Sequence, residues 1–415
     1  MNNSTLDQKS SVDSTKAANA TTKVQRKSYS SIPKGSILER LMYFARSVPD
    51  FRRTDRGNIR HELGDIIMLM VFARMSKCVG RADIIEFGKH NLRKLQSMGL
   101  LRNGVPSEPT LCRVEKGIDE IGFAEQMSTF SNAFNDELVK VCGQQEIICI
   151  DGKAMRGTIQ ENGRNPDIVS AYSFSTGITL ATEACQEKSN EIKAGPLLID
   201  KIDVAGRLVT ADAMSMQKEI IDKIREKDGY FLIELKANQR ALRYGVEDKI
   251  KQATPRFTYT EGPELGHGRI ENRTYKVYDG LDLIADKDKW GGSLTVVEFV
   301  SHCTKKSTGV ETTETRLYVS NLPADTPYIG KAVRNHWSIE SMHWGLDFNL
   351  LQDRIKRKST KAARNLDTLQ RIVFSLFSIW KGRRKKLSDK VKGIAEMMRF
   401  ISKSFTRLVH FLSQK

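Results

Sequence analysis

The stretch from Arg207 to Lys236, RLVTADAMSMQKEIIDKIREKDGYFLIELK, constrains this chain more than any other. Two short runs of β-branched and aromatic residues flank a segment whose apolar residues recur at helical spacing, so the order is strand, helix, strand. Joining neighbouring parallel strands this way takes a right-handed crossover and buries the sheet on both faces. Upstream, EIICID supplies another strand, and DIVSAYSFSTGITLATEACQ a hairpin about its STG turn. Residues 145–245 therefore read as a mixed α/β sheet. Ligands in such sheets collect at the carboxyl ends of the strands.

The flanking regions differ in pattern. Residues 1–36 are polar and rich in Ser, Thr and Asn, and read as a flexible leader without the apolar core of a secretory signal. Over 37–144 apolar residues such as Leu63, Ile66, Ile67, Met70 and Val71 recur at helical spacing, which predicts an all-helical N-terminal domain. Ser107 to Ile118, with Pro109 in a first helical turn, suits either a DNA-binding helix–turn–helix or a plain packed helical pair. Residues 246–325 return to strands between Gly-rich turns and are expected to form a β-rich insertion with its own subdomain. Residues 326–415 are helical again.

Charge and length bound the partners. The chain has 415 residues, with 67 Lys and Arg against 50 Asp and Glu, and its net charge of +17 favours a polyanion. The longest apolar run, Ile66 to Ala73, is far below the roughly 20 residues that span a bilayer, so no membrane role is expected. The six cysteines never form C-x-x-C, which argues against a zinc ribbon or a disulfide framework and fits a reducing cytoplasm.

Asp151 ends the strand IICID and Asp212 ends RLVTAD. On neighbouring strands their like charges repel unless a cation lies between them, and hard oxygen donors suit Mg²⁺ or Mn²⁺. Taken alone, an aspartate at a strand end is more commonly a turn or N-cap residue. In AVRNHWSIESMHWGLDFNLLQD, helical spacing sets His336, Glu340, His343 and Asp347 on one face, with Trp337, Ile339, Trp344 and Leu346 as apolar flanks. With Glu340 against the sheet, three carboxylates are available for two metal ions roughly 3.5–4 Å apart, an arrangement suited to in-line displacement at phosphorus. A zinc site from His336, Glu340 and His343 is disfavoured, because the H-E-x-x-H order is absent. Arg354, Lys356, Arg357, Lys358 and Lys361 are candidate phosphate contacts or a solvated basic face, and Phe374, Phe377 and Trp380 read as core.

Taken in order, ICIDGKAMRGT, EKSNEI, LVTADAMSMQKEIIDKI, GYFLIELKANQ, HGRIENR and VRNHWSIESMHWGLDF resemble the DDE transposases of bacterial insertion sequences, in the H-repeat-associated (ISAs-type) group. SVPDFRR, RHELGDIIMLM and NGVPSEPTLCRV resemble that group's associated helical domain. The resemblance implies an RNase H-like core with Asp151, Asp212 and Glu340 as catalytic acids holding two Mg²⁺ (or Mn²⁺) ions, and a β-rich insertion before the helix that bears Glu340. It implies cleavage of element ends and strand transfer into target DNA, both double-stranded, by a homodimer in a synaptic complex.

By the same carry-over Lys153, Arg156, Lys236, Asn238 and Gln239 line the DNA path, unless they form a solvated basic face. His336 is counted with them, and His267 and Arg269 of GHGR are DNA contacts or turn residues. Related transposases often carry a Tyr-Arg-Glu-Lys pattern about the third acid. Here His336 precedes Glu340 by one turn and Asp347 follows by two, so that basic clamp is not carried over. Ser341 stands where the group has Asn, and Gln352 beside Asp353 where it has a Glu-Asp pair. A structure-selective nuclease on the same core, and a DNA-binding relative that no longer cuts, are the rival expectations.

Overall fold

The structure, a computed structural model, describes residues 32–55, 57–142, 145–160, 163–185, 191–266, 268–280, 282–290, 292, 294–326, 328–384 and 392–414. Five helices come first: α1 (Ile37–Ser47), α2 (Leu63–Met75), α3 (Arg81–Ser97), α4 (Glu108–Gly117) and α5 (Glu120–Cys142). Ser36 caps α1 by accepting from the Glu39 N–H at 3.2 Å, and Pro109 stands in the first turn of α4, where its missing N–H costs nothing. Every residue of α2 is buried, as expected of a helix apolar on all sides.

The sheet follows. Its strands are β1 (Ile147–Ala154), β2 (Asp167–Ser173), β3 (Thr179–Ala184), β4 (Leu208–Ala211), β5 (Tyr230–Leu235), β6 (Phe257–Gly266), β7 (Arg269–Asp279), β8 (Thr295–Lys305) and β9 (Glu311–Ser320). The helices between and after them are α6 (Glu191–Asp200), α7 (Lys218–Glu226), α8 (Arg240–Ile250), α9 (Ile329–Asn335), α10 (Ser338–Asn349), α11 (Thr360–Arg383), α12 (Ile394–Ser402) and α13 (Phe405–Leu412).

All nine strands join one mixed sheet in the order β3-β2-β1-β4-β5-β9-β8-β7-β6. β1, β4 and β5 are mutually parallel, and the remaining pairings are antiparallel. The strands of 246–325 are no separate subdomain but extend the central sheet, because β9 pairs with the otherwise open edge of β5 from Leu232–Ser320 to Leu235–Leu317. That pairing satisfies the edge N–H and C=O groups.

α11 is buried along most of its length and packs against α2, α4, α5 and β3, so it ties the helices to the sheet. Phe374 and Phe377 are core, and Trp380 stacks on Phe411 with ring centroids 4.8 Å apart. No helix among the described residues is long and apolar enough to cross a membrane.

Candidate active site

β1 and β4 run side by side in parallel, and their last registered pair is Ile150 with Ala211. Asp151 does not end its strand as the sequence suggested, because β1 runs on to Ala154 along β2; but the pairing with β4 stops just before it, and Asp212 directly follows β4, so the end of this register brings the two acids together. Asp151 Oδ1 accepts from the Gly152 N–H at 2.9 Å. Asp212 also has the capping role open to it, accepting from the Met214 N–H at 3.1 Å at the start of a 3-10 turn (Ala213–Ser215). Burial, and then the charge of Asp151, push the Asp212 carboxyl above its ordinary range, while the Met214 N–H and Lys236 oppose the rise.

The single helix expected here is broken at His336 and Trp337 into α9 and α10, yet three positions of its stripe reach this edge. His336 Nδ1 lies 3.1 Å from Thr210 Oγ1 in β4, His343 Nδ1 lies 3.4 Å from Asp151 Oδ2, and Asp347 Oδ1 lies 2.9 Å from Lys153 Nζ. Burial lowers the pKa of both histidines despite the pull of Asp151, which favours neutral rings. Glu340, the fourth member, is exposed, and its carboxylate has no hydrogen bond or ion pair among the described residues. Nor do three His, Cys, Asp or Glu side chains form a ready-made metal cluster among the described residues. Trp344, expected as an apolar flank, instead stands 61% exposed and stacks on the equally open Phe348, centroids 4.6 Å apart.

The expected DNA contacts divide. Lys153 is only 8% exposed and pairs with Asp347 and, at 3.4 Å, with Asp353, so it pins α10 to β1. Alternate residues of a strand share a face, and Asp151 and Lys153 therefore both meet α10. Asn238 donates to the Ala213 carbonyl at 2.5 Å and Gln239 to that of Met216 at 2.9 Å; they fasten the turn behind Asp212. Lys236 is half exposed, pairs with Glu234 at 2.8 Å and adds positive charge near Asp212. Arg156 is exposed, and its backbone N–H donates to Asp353 at 3.1 Å.

Arg357 is also internal, 3.1 Å from the buried Glu115, which takes Arg81 as well at 2.6 Å. Lys361 pairs with Glu120 at 3.5 Å, whereas Arg354, Lys356 and Lys358 stay exposed. Arg269 is exposed at the start of β7, four strands along the sheet from β4. His267 lies outside the described residues.

The last acid of EKSNEI, Glu191, also belongs to this edge. Glu191 opens α6, and its carboxylate rests against Gly152: a Cβ added there would lie 2.6 Å from Glu191 Oε1. A topological signal for it existed. β3 is antiparallel to β2 and β2 to β1, so β3 runs parallel to β1, and the helix that follows β3 starts where β1 and β4 end. Burial, then Asp212, Asp167 and Asp151, push the Glu191 carboxyl upward. An edge lined with mutually repelling oxygen donors, with room kept by a residue lacking Cβ, fits a hard divalent cation.

Comparison with known proteins accords with this edge. The chain matches the family Transposase DDE domain over residues 143–366 and the DDE_Tnp_1-associated family over residues 41–131. It is 30% identical to "Putative transposase YncI" of Escherichia coli O157:H7 over 86% of this chain and 92% of that protein. It is 31% identical to "H repeat-associated putative transposase YhhI" of Escherichia coli K12 over 82% of this chain and 91% of that protein. A shorter similarity, 35% identity over 19% of this chain and 89% of the relative, is to "Inactive transposase YbfQ" of the same strain. With its two aspartates just past the last β1–β4 pair and the family match spanning both, the chain belongs to the DDE transposases.

Proposed function

We infer that this transposase cuts the ends of its own mobile element and joins them to target DNA, with Asp151, Asp212 and Glu340 as its metal-binding acids. The observation that carries this reading is the parallel register that ends at Ile150 and Ala211 and sets the two aspartates side by side. The order β3-β2-β1-β4-β5, three antiparallel strands followed by two parallel ones, supports an RNase H-like core for the first five strands. Glu340 comes from the family resemblance and from its place on the stripe, one turn before His343.

Mg²⁺ or Mn²⁺ ions, when bound, supply positive charge to the scissile phosphate and to the attacking and leaving oxygens. The chain's residues do the rest. Asp151 and Asp212 hold the ions, and His343, with Nδ1 3.4 Å from Asp151 Oδ2, orients the Asp151 carboxylate. Lys236 adds cationic charge beside Asp212, and exposed Arg156, Arg354, Lys356 and Lys358 offer contacts to the DNA backbone. Water oxygen attacks phosphorus as the bond to the 3′ oxygen breaks, which leaves a 3′-hydroxyl. That hydroxyl then attacks a target phosphorus and releases the target's own 3′ oxygen, so no covalent enzyme intermediate is required. The helices α1–α5 are suited to gripping DNA beside the core, and a homodimer would hold two ends together.

The test uses plasmids carrying either the element's ends or scrambled ends, with Mg²⁺. Parent protein should cut only the authentic ends, and Asp151→Ala, Asp212→Ala and Glu340→Ala should not cut. Cleavage of both plasmids would favour a structure-selective nuclease. Variants as active as the parent would refute the acid assignment.

A further inference from the structure

The geometry points to Glu191 as an additional metal-binding carboxylate of this site, brought by the first turn of α6 against Gly152, the neighbour of Asp151. The inference rests on the metal-dependent reading above and extends it to a residue outside the Asp-Asp-Glu set. Three observations carry it. The topology begins α6 at the edge where β1 and β4 end, so Glu191 reaches the acids from the opposite side of β1 to Asp212: β2 and β3 lie on one flank and β4 on the other.

Gly152 adjoins Asp151 and leaves the space that Glu191 fills, with Oε1 only 2.6 Å from where a Cβ would stand. Its φ is not among the left-handed ones, so the backbone there does not itself demand glycine. What the missing side chain provides is room for a carboxylate. Finally, Glu191 has no hydrogen bond or ion pair among the described residues, while Asp212, Asp167 and Asp151 all act on it with like charge. The helix dipole favours a carboxylate at a helix start but gives it no reason to face three other acids. A shared divalent cation removes the repulsion.

The experiment measures Mn²⁺ binding to the full chain by calorimetry, with end cleavage alongside. Glu191→Gln keeps the shape and removes the charge; Gly152→Ala keeps the charge and drives the flexible carboxylate away. Asp151→Asn is the control for the site itself. Each of the two test variants should weaken Mn²⁺ binding roughly 10- to 100-fold, and cleavage should fall in step. With metal absent, Glu191→Gln should melt no lower than the parent, since it removes a repelled charge. If both test variants bind Mn²⁺ as the parent does while Asp151→Asn has lost it, Glu191 is no ligand and the inference is overturned. If Asp151→Asn also binds like the parent, or the parent binds no Mn²⁺, the metal reading falls and takes this one with it. Should Glu191→Gln fail to fold, Gly152→Ala decides alone.

Discussion

Asp151 and Asp212 lie one residue beyond the last registered pair of two parallel strands, Ile150 and Ala211, so acids 61 positions apart in the chain become neighbours. Asp212 meets the repulsion of Asp151 while it caps the turn behind it. Asn caps as well as Asp. Asp212→Asn should therefore raise the melting temperature in metal-free buffer while abolishing cleavage, the pattern of a site whose stability is traded for function. A melting temperature below the parent's would show that the Asp151 charge does not strain this edge.

Lys153 joins β1 to α10 through Asp347 and to the following turn through Asp353. Lys153→Met preserves the packed stem but leaves two part-buried carboxylates without their cation. Stability should fall by about 1–3 kcal/mol, read as a lower urea midpoint with an unchanged slope. An unchanged midpoint would return Lys153 to the DNA-contact role.

Arg357 and its neighbours Lys356 and Lys358 look alike in sequence yet sit differently. Arg357 is committed to buried Glu115, and the two lysines are exposed. Arg357→Ala should destabilise the fold by about 1–3 kcal/mol. Lys356→Ala and Lys358→Ala should each change stability by under about 0.5 kcal/mol. Each should also flatten the salt dependence of DNA binding by roughly 0.9 in slope if it meets a phosphate. Urea unfolding and salt titrations of binding separate the two behaviours.

His61 offers a pH test away from the acids. Burial, then Arg60 and Arg52, lower its pKa, so the folded chain resists a proton that the unfolded chain accepts. Its contribution is present above about 6.5 and is lost as pH falls through the lower folded value. The stability of the parent relative to His61→Gln should therefore decline over that interval. A difference independent of pH would contradict the stated surroundings of the ring.

Much of this arrangement was legible in the residues, for local reasons. β-branched runs and helical spacing mark β1, β4, α7 and β5, and the two aspartates fall where the parallel pairing of β1 and β4 stops, although β1 itself runs on past Asp151 along β2. Helical periodicity set His336, His343 and Asp347 on the face that meets the sheet. The rest depends on contacts remote in the chain. Nothing local says that β9 will take the edge of β5, or that Lys153 and Arg357 will find Asp347 and Glu115 while Lys356 stays exposed. Glu191 escaped for the same reason: an acid at a helix start looks ordinary until β3 and β1 are known to run parallel.

The location of bound divalent metal tests the account most directly. In crystals of the full chain soaked with Mn²⁺, the strongest anomalous difference peak should lie between the carboxylates of Asp151 and Asp212. Manganese bound elsewhere, with both aspartates bare, would contradict it.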